Sequence, residues 1–234
     1  MNPAVVDAVD GLLALNRMVR EKDAELPPEE TIYLRIFGGP LTYKTDLMWF
    51  LSKYGVGGIP AEKINGVETD RLVEERHWGI GGSWDREQIS EAMPRIISDI
   101  SAGKRLVILE GVYSALFNPS CKWWFFQDGD MSDRYSMDVE VECTASDDVR
   151  KTRAMRRDKN LNKYRGWGTI EETWSTPFNG RDLIMSTDLA EDTEELDRRI
   201  AKLEEEGTLV PGQIKYLRDY SDFSKQMKRH YEGK

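Results

Sequence analysis

Lys44 and Thr45 stand where a glycine-rich turn runs into an amphipathic stretch, in the continuous segment TIYLRIF-GGPLTYKT-DLMWFL over residues 31–51. Turn amides followed by a helix N-terminus make an anion site. A lysine beside it supplies a charge for phosphate oxygens, and a hydroxyl after the lysine can ligate Mg²⁺. The phosphate-loop pattern G-x-x-x-x-G-K-[ST] is met by Gly38, Lys44 and Thr45, with Tyr43 in place of the second glycine. The residues expected at a nucleotide are Gly38, Gly39, Thr42, Tyr43, Lys44, Thr45 and Asp46. If position 43 requires positive φ, a tyrosine there is strained by about 1–3 kcal/mol. If it lies in the right-handed helical region, its N–H still serves the anion. The ring then turns outward, toward an acceptor or an arginine-bearing segment. The second geometry is the expectation. The other reading of the turn is a plain link between strand and helix.

Two further groups fit phosphate chemistry. RLVILEG (105–111) is an apolar run ending in Glu110, which puts a carboxylate at a strand's C-terminal end, where open α/β sheets bind ligands. Glu110 can hold Mg²⁺ through water; helix capping is the alternative role for such an acid. Between Arg150 and Arg165 the chain has eight basic residues and one acid, Asp158. Arg153, Arg156 and Arg157 have the i, i+3, i+4 spacing of one helix face. Such a cluster suits a migrating phosphoryl group, whose oxygens accept bidentate arginine contacts. Arg153 and Arg157 are expected at the reacting phosphoryl group, Arg156 and Arg165 at the nucleotide. A solvated basic face is the bland alternative.

The elements that would carry these residues follow from periodicity and punctuation. Helical spacing covers 4–22 and ends at Pro27-Pro28. TIYLRIF, bounded by prolines and glycines, reads as a buried strand, and Tyr43 to about Lys53 as a helix. A short strand is expected near Lys63–Val67. A helix, with Pro94 as a kink, is expected from Asp85 to about Gly103. Strands follow at 105–111, 137–143 and 181–187, and helices over 147–158, 192–207 and 213–234. Strands alternating with helices predict a parallel sheet covered on both faces.

Lys plus Arg is 33 and Asp plus Glu is 42, a net charge of −9 over 234 residues. No apolar run approaches the ~20 residues of a membrane span, and the N-terminal stretch lacks the basic start of a secretory signal. A cytoplasmic location and no membrane partner are therefore expected. Two cysteines, Cys121 and Cys143, and two histidines, His77 and His230, satisfy neither a disulfide framework nor zinc spacing. The acidic balance lowers the expectation of a nonspecific nucleic-acid partner.

In order along the chain, GGPLTYKTD, VILEG, MDVEVECTASDDVRKTRAMRRDKN…RGWGTIEETW and STPFNGRDLIMST resemble the uridine kinase and phosphoribulokinase branch of P-loop kinases. The resemblance runs from about residue 31 to 187. It implies a three-layer αβα sandwich with a five-stranded parallel sheet of order 2-3-1-4-5. It also implies an arginine-bearing lid (about 153–175), ATP with Mg²⁺ as donor, and an alcohol acceptor. The family's general base follows its second strand, which in NGVETDRL implies Asp70, with Glu68 in reserve. Residues 31–206 would form the kinase domain. Residues 1–30 and 207–234 would be helical extensions, the latter an interface if the protein is a homodimer. His77 would lie near the acceptor, and KWWFFQ (122–127) would either stack on a base or pack internally. The acceptor implied is a small nucleoside-like or sugar-like molecule. A hydroxymethylated base in DNA, such as 5-hydroxymethyluracil, and a catalytically weakened nucleotide-binding regulator are the other readings.

Overall fold

The computed structural model describes residues 4–38, 42–75, 86–111, 137–158 and 182–232. Six strands are hydrogen-bonded in one parallel sheet: β1 (Val5–Val6), β2 (Ile32–Gly38), β3 (Ile64–Glu68), β4 (Leu106–Glu110), β5 (Val139–Thr144) and β6 (Leu183–Ser186), in the order β1-β6-β5-β2-β4-β3. From β2 onward the five larger strands follow the 2-3-1-4-5 order. The sheet nevertheless has six strands rather than five. Val5 and Val6 extend the β6 edge instead of starting a helix. The reason is local: the Asp7 carboxylate accepts the N–H groups of Val9 and Asp10, each at 2.9 Å, so the helix starts only after it.

The helices are α1 (Ala8–Glu25), α2 (Lys44–Tyr54), α3 (Thr69–Glu75), α4 (Arg86–Ser101), α5 (Asp147–Asp158), α6 (Thr193–Glu205) and α7 (Pro211–Glu232). β2 is apolar on one side, with Ile32, Leu34 and Ile36 fully buried. That side joins Val139, Val141 and Ile108 in one core with Leu12, Leu15 and Val19 of α1, Leu47 and Leu51 of α2, Ile200 of α6 and Leu217 of α7. On the opposite face, Val107, Leu109 and Met137 pack with Ile96 of α4. These two packed faces make the three layers.

Both terminal segments are built into this core. Arg105, at the foot of β4, binds the Asp23 carboxylate at 2.6 Å and donates to the carbonyls of Asp23, Leu26, Pro27 and Glu30. This fork seals the end of α1 and the Pro27-Pro28 turn onto the sheet. Arg199 of α6 grips Asp7 and Asp10 at the other end of α1. Gln213 of α7 is 1% exposed and donates to the Gly55 carbonyl at 3.2 Å.

Registry places the functional ends together. β2 lies between β4 and β5, with Ile36 opposite Glu110 and Gly38 opposite Cys143. β3 lies outside β4, with Glu68 opposite Glu110. A Cβ on Gly38, which has φ +145°, would fall 2.1 Å from the Cys143 carbonyl oxygen, so no other residue fits where β2 turns.

Leu15→Ala is expected to cost about 2–5 kcal/mol of unfolding free energy in one cooperative transition, as for a core leucine. Urea unfolding would detect it; a loss under about 0.5 kcal/mol would mark α1 as a detachable appendage.

Candidate functional site

The C-terminal ends of β2, β4 and β3 bring Lys44, Thr45, Glu110 and Asp70 together. Lys44 opens α2, and its Nζ lies 3.3 Å from Glu110 Oε1. Both side chains are largely buried, at 15% and 6% exposure. Burial pushes the Glu110 carboxyl above the usual carboxylate range. The Lys44 charge pulls it back, the nearby Asp70 charge raises it, and hydrogen bonds with Lys44 and Thr45 lower it again. Asp70 sits in the first turn of α3, and its carboxylate lies against Gly111: a Cβ there would be 2.4 Å from Asp70 Oδ1. The preceding Thr69 hydroxyl donates to the Glu110 carbonyl at 2.7 Å and ties α3 to the end of β4. Glu68, the reserve base, accepts the Trp49 indole N–H at 2.9 Å. The structure thus separates the two acids, Asp70 beside Glu110 and Glu68 against the outer face of α2.

Tyr43 departs from expectation. It is the N-cap of α2 with φ 58° and ψ 20°, the left-handed region, and is the only non-glycine residue at positive φ among those described. The right-handed geometry expected from the sequence is therefore corrected. Position 43 keeps a backbone that suits glycine, at a cost of about 1–3 kcal/mol for a tyrosine. The ring does turn away from the loop, toward Arg153 and α7. The Arg153 guanidinium carbon lies 3.9 Å from the Tyr43 ring centroid, and Phe223 meets that ring edge-on with centroids 5.9 Å apart. Such cation–π and edge-to-face contacts partly offset the backbone cost.

Arg153 is likewise placed differently from the lid expectation. It is 4% exposed, and its guanidinium donates to the hydroxyl and carbonyl of Thr187 just past β6. Its guanidinium thus ties the middle of α5 to the residue that follows β6. Arg156 and Arg157 follow on α5, but their side chains lie outside the described residues, as do Arg165, Gly39, His77, the segment 122–127 and most of the expected lid. Thr42 is buried, and Asp46 is exposed on the first turn of α2.

Sequence reasoning passed over three participants. Thr187 joins the loop, β5 and Arg153; its only signal was its place at the end of an apolar strand. Phe223 and Tyr216 of α7 line a groove of about 490 Å³ with Tyr43, Phe50, Tyr54 and Tyr220. On the other face of the sheet, Arg35 and Glu140 pair at 3.2 Å, both 2% exposed, which explains the acid at position 140 of β5. An arginine inside an otherwise apolar strand was the readable sign of a buried partner. Cys143, buried beside Gly38, has its thiol pushed up to about 12 by desolvation, so it is no nucleophile near neutral pH.

Among the described residues, no three His, Cys, Asp or Glu side chains cluster as a metal cage, and no helix is long and apolar enough to cross a membrane. Mg²⁺ needs no such cage, since it keeps several waters and takes one or two protein oxygens plus phosphate. The buried Glu110 carboxylate with the adjoining Thr45 hydroxyl fits that demand.

No family model matches the sequence, and no curated protein is similar to it. Among solved structures, the chain is similar to a candidate fructose transport system kinase from Silicibacter sp. TM1040, at 18% identity, 75% of this chain, 98% of that one and a TM-score of 0.41. It is also similar to TT1252 from Thermus thermophilus, at 14% identity over 76% of this chain and 98% of that one, TM-score 0.32. A candidate uridine kinase from Bacillus stearothermophilus is 15% identical over 73% of this chain and 97% of that one, TM-score 0.33.

The raised Glu110 carboxyl has a pH signature. A folded state that holds this proton more tightly than the unfolded one loses stability as pH rises from about 4.5 through the folded value. Glu110→Gln removes that slope. The variant's stability relative to the natural protein should therefore grow with pH across this window, as read by urea unfolding at a series of pH values. A constant difference would mean that Glu110 titrates as an ordinary surface acid.

Proposed function

We propose that the protein is an ATP-dependent phosphotransferase that moves the γ-phosphoryl group of ATP to a hydroxyl of a nucleoside-like or sugar-like small molecule. The observation that carries this reading is the convergence of Lys44, Thr45, Glu110 and Asp70 at one edge of a parallel sheet, beside a helix N-terminus. Phosphoryl transfer demands positioning and charge stabilisation more than covalent help from the protein. The start of α2 offers backbone N–H groups to the β- and γ-phosphates. Lys44, held in place by Glu110, would shift to the phosphate oxygens and neutralise charge as it develops.

Thr45 and Glu110 would hold Mg²⁺, Glu110 directly or through water. The ion would screen the charge between the β- and γ-phosphates. Asp70 would accept the proton of the acceptor hydroxyl as that oxygen bonds to the γ-phosphorus. The bond from phosphorus to the β–γ bridging oxygen breaks, and ADP leaves with its electron pair. Asp70, beside Glu110 and Gly111, is the base this reading assigns, with Glu68, which accepts the Trp49 indole N–H, in reserve. A small acceptor, rather than a nucleic acid, accords with the acidic net charge.

Tyr43 gives the weakened-regulator reading its one specific support, since a strained loop residue is compatible with binding without turnover. Measured turnover decides between the two. With labelled ATP and a panel of nucleosides, sugars and hydroxymethyl-DNA, Lys44→Ala should lower transfer by about 10²–10³-fold with an unchanged far-ultraviolet spectrum. Near-natural turnover in a folded Lys44→Ala protein would remove the phosphate-loop assignment. Asp70→Asn should lower kcat by about 10²-fold or more at a similar KM for ATP, while Glu68→Gln changes it less than about threefold. The reverse ranking would transfer the base role to Glu68.

A further inference from the structure

Tyr43 is held at positive φ by three segments far apart in sequence. The Arg153 guanidinium of α5 covers its ring at 3.9 Å. Phe223 of α7 meets the ring edge-on, and the same guanidinium lies 5.8 Å from the Phe223 centroid. Thr187 acts on the backbone. Its hydroxyl lies 3.2 Å from the Thr42 carbonyl oxygen and 3.0 Å from that of Thr144. The Thr144 carbonyl also receives the Thr187 amide N–H at 2.8 Å, and the one hydroxyl proton is shared between the Thr42 and Thr144 carbonyls. The hydroxyl oxygen in turn accepts from Arg153 at 3.1 Å.

The Thr42–Tyr43 peptide is planar and trans, so its N–H points opposite to its C=O. The Thr42 carbonyl oxygen faces the Thr187 hydroxyl, so the Tyr43 N–H points away from Thr187. On the downstream side, the Tyr43 carbonyl accepts the Leu47 N–H at 3.0 Å, the first bond of α2. Both peptides flanking Tyr43 are thus pinned, and the ring contacts oppose the relaxation to negative φ that a tyrosine otherwise favours.

We propose that Arg153, Thr187 and Phe223 form a clamp that aims the Tyr43 amide at the phosphates of the bound nucleotide, which makes the C-terminal helix α7 a working part of the nucleotide site. The three are positioning residues, acting through Tyr43. The inference rests on the phosphotransferase reading for the identity of the ligand and on the contacts above for the clamp. It has a distinctive consequence. Glycine adopts positive φ without support, so a glycine at position 43 should make the clamp dispensable.

The test places Phe223→Ala and, separately, Thr187→Val in the natural protein and in Tyr43→Gly. ATP affinity is measured by calorimetry, and the Tyr43 backbone by the three-bond coupling between its amide and α protons without nucleotide. In the natural background each substitution should weaken ATP binding about tenfold and move the coupling toward right-handed values. With Tyr43→Gly the same substitutions should change ATP affinity less than about twofold. An equal loss in both backgrounds would mean a general packing role and overturn the clamp. So would an unmoved coupling in both clamp variants. If Phe223→Ala fails to fold, Phe223→Leu and Thr187→Val carry the same comparison. If the coupling moves but the natural protein binds no ATP, the phosphotransferase reading and the nucleotide half of the proposal both fall, while the backbone restraint stands.

Discussion

Strand β2 is confined between β4 and β5, with its apolar row in the core shared by α1, α2 and α7, and the site depends on that confinement. A strand paired on both edges cannot slip without moving its whole apolar row off the core. Its last residue is therefore fixed at Gly38, opposite Cys143, and the turn that follows has one place to go. The same pairing puts Glu110 level with Ile36 and Glu68 level with Glu110. The alignment of Lys44, Glu110 and Asp70 is thus a consequence of register. The distances within the group are short because three parallel strands end at one edge.

Tyr43 shows how a locally unfavourable residue persists. Alone, a tyrosine at this backbone geometry would relax. Here the cost falls on contacts from the middle of α5, from the segment after β6 and from α7. Arg153 serves two of them, since its guanidinium bonds Thr187 by its edge and covers the aromatic ring by its face. Planar guanidinium groups suit this double use, which lysine does not. The consequence is a loop whose shape depends on the far end of the chain. This also explains why α7 packs on α2, with Phe50 and Tyr216 rings 4.8 Å apart, rather than standing off as an appendage.

Glu110 and Lys44 illustrate a second balance. Burial favours the neutral acid, and the lysine favours the charged one. Lys44 Nζ and Glu110 Oε1 lie 3.3 Å apart, and in the proposed reaction the lysine would exchange that partner for a phosphate while a cation takes its place at the acid. The Arg35–Glu140 pair, deeper in the sheet, has no such exchange available and fixes the registry of β2 against β5.

Much of this was legible in the residues alone. The acidic pair Asp147-Asp148 opening a basic run placed α5 at Asp147–Asp158, and periodicity and punctuation placed most other elements within two or three residues. The alternation of strands and helices implied the parallel sheet, and the spacing of Gly38, Lys44 and Thr45 implied a turn from strand into helix, which lies at the end of β2. The rest depended on distance in sequence. Val5 and Val6 carry no strand signal strong enough to compete with the helix beside them, and only the open edge of β6 makes them one. The left-handed state of Tyr43 could not be read from a sequence that offers tyrosine where glycine is expected, since the contacts that hold it come from residues 153, 187 and 223. The tie between Arg153 and Thr187 was not readable, because the i, i+3, i+4 spacing within α5 says nothing of a residue 34 positions away. Sequence determined which groups could do phosphate chemistry and on which kinds of element they lie. Tertiary structure alone decided which are anchored, which face the site and how the loop is held, because those depend on contacts between segments that local propensity does not encode.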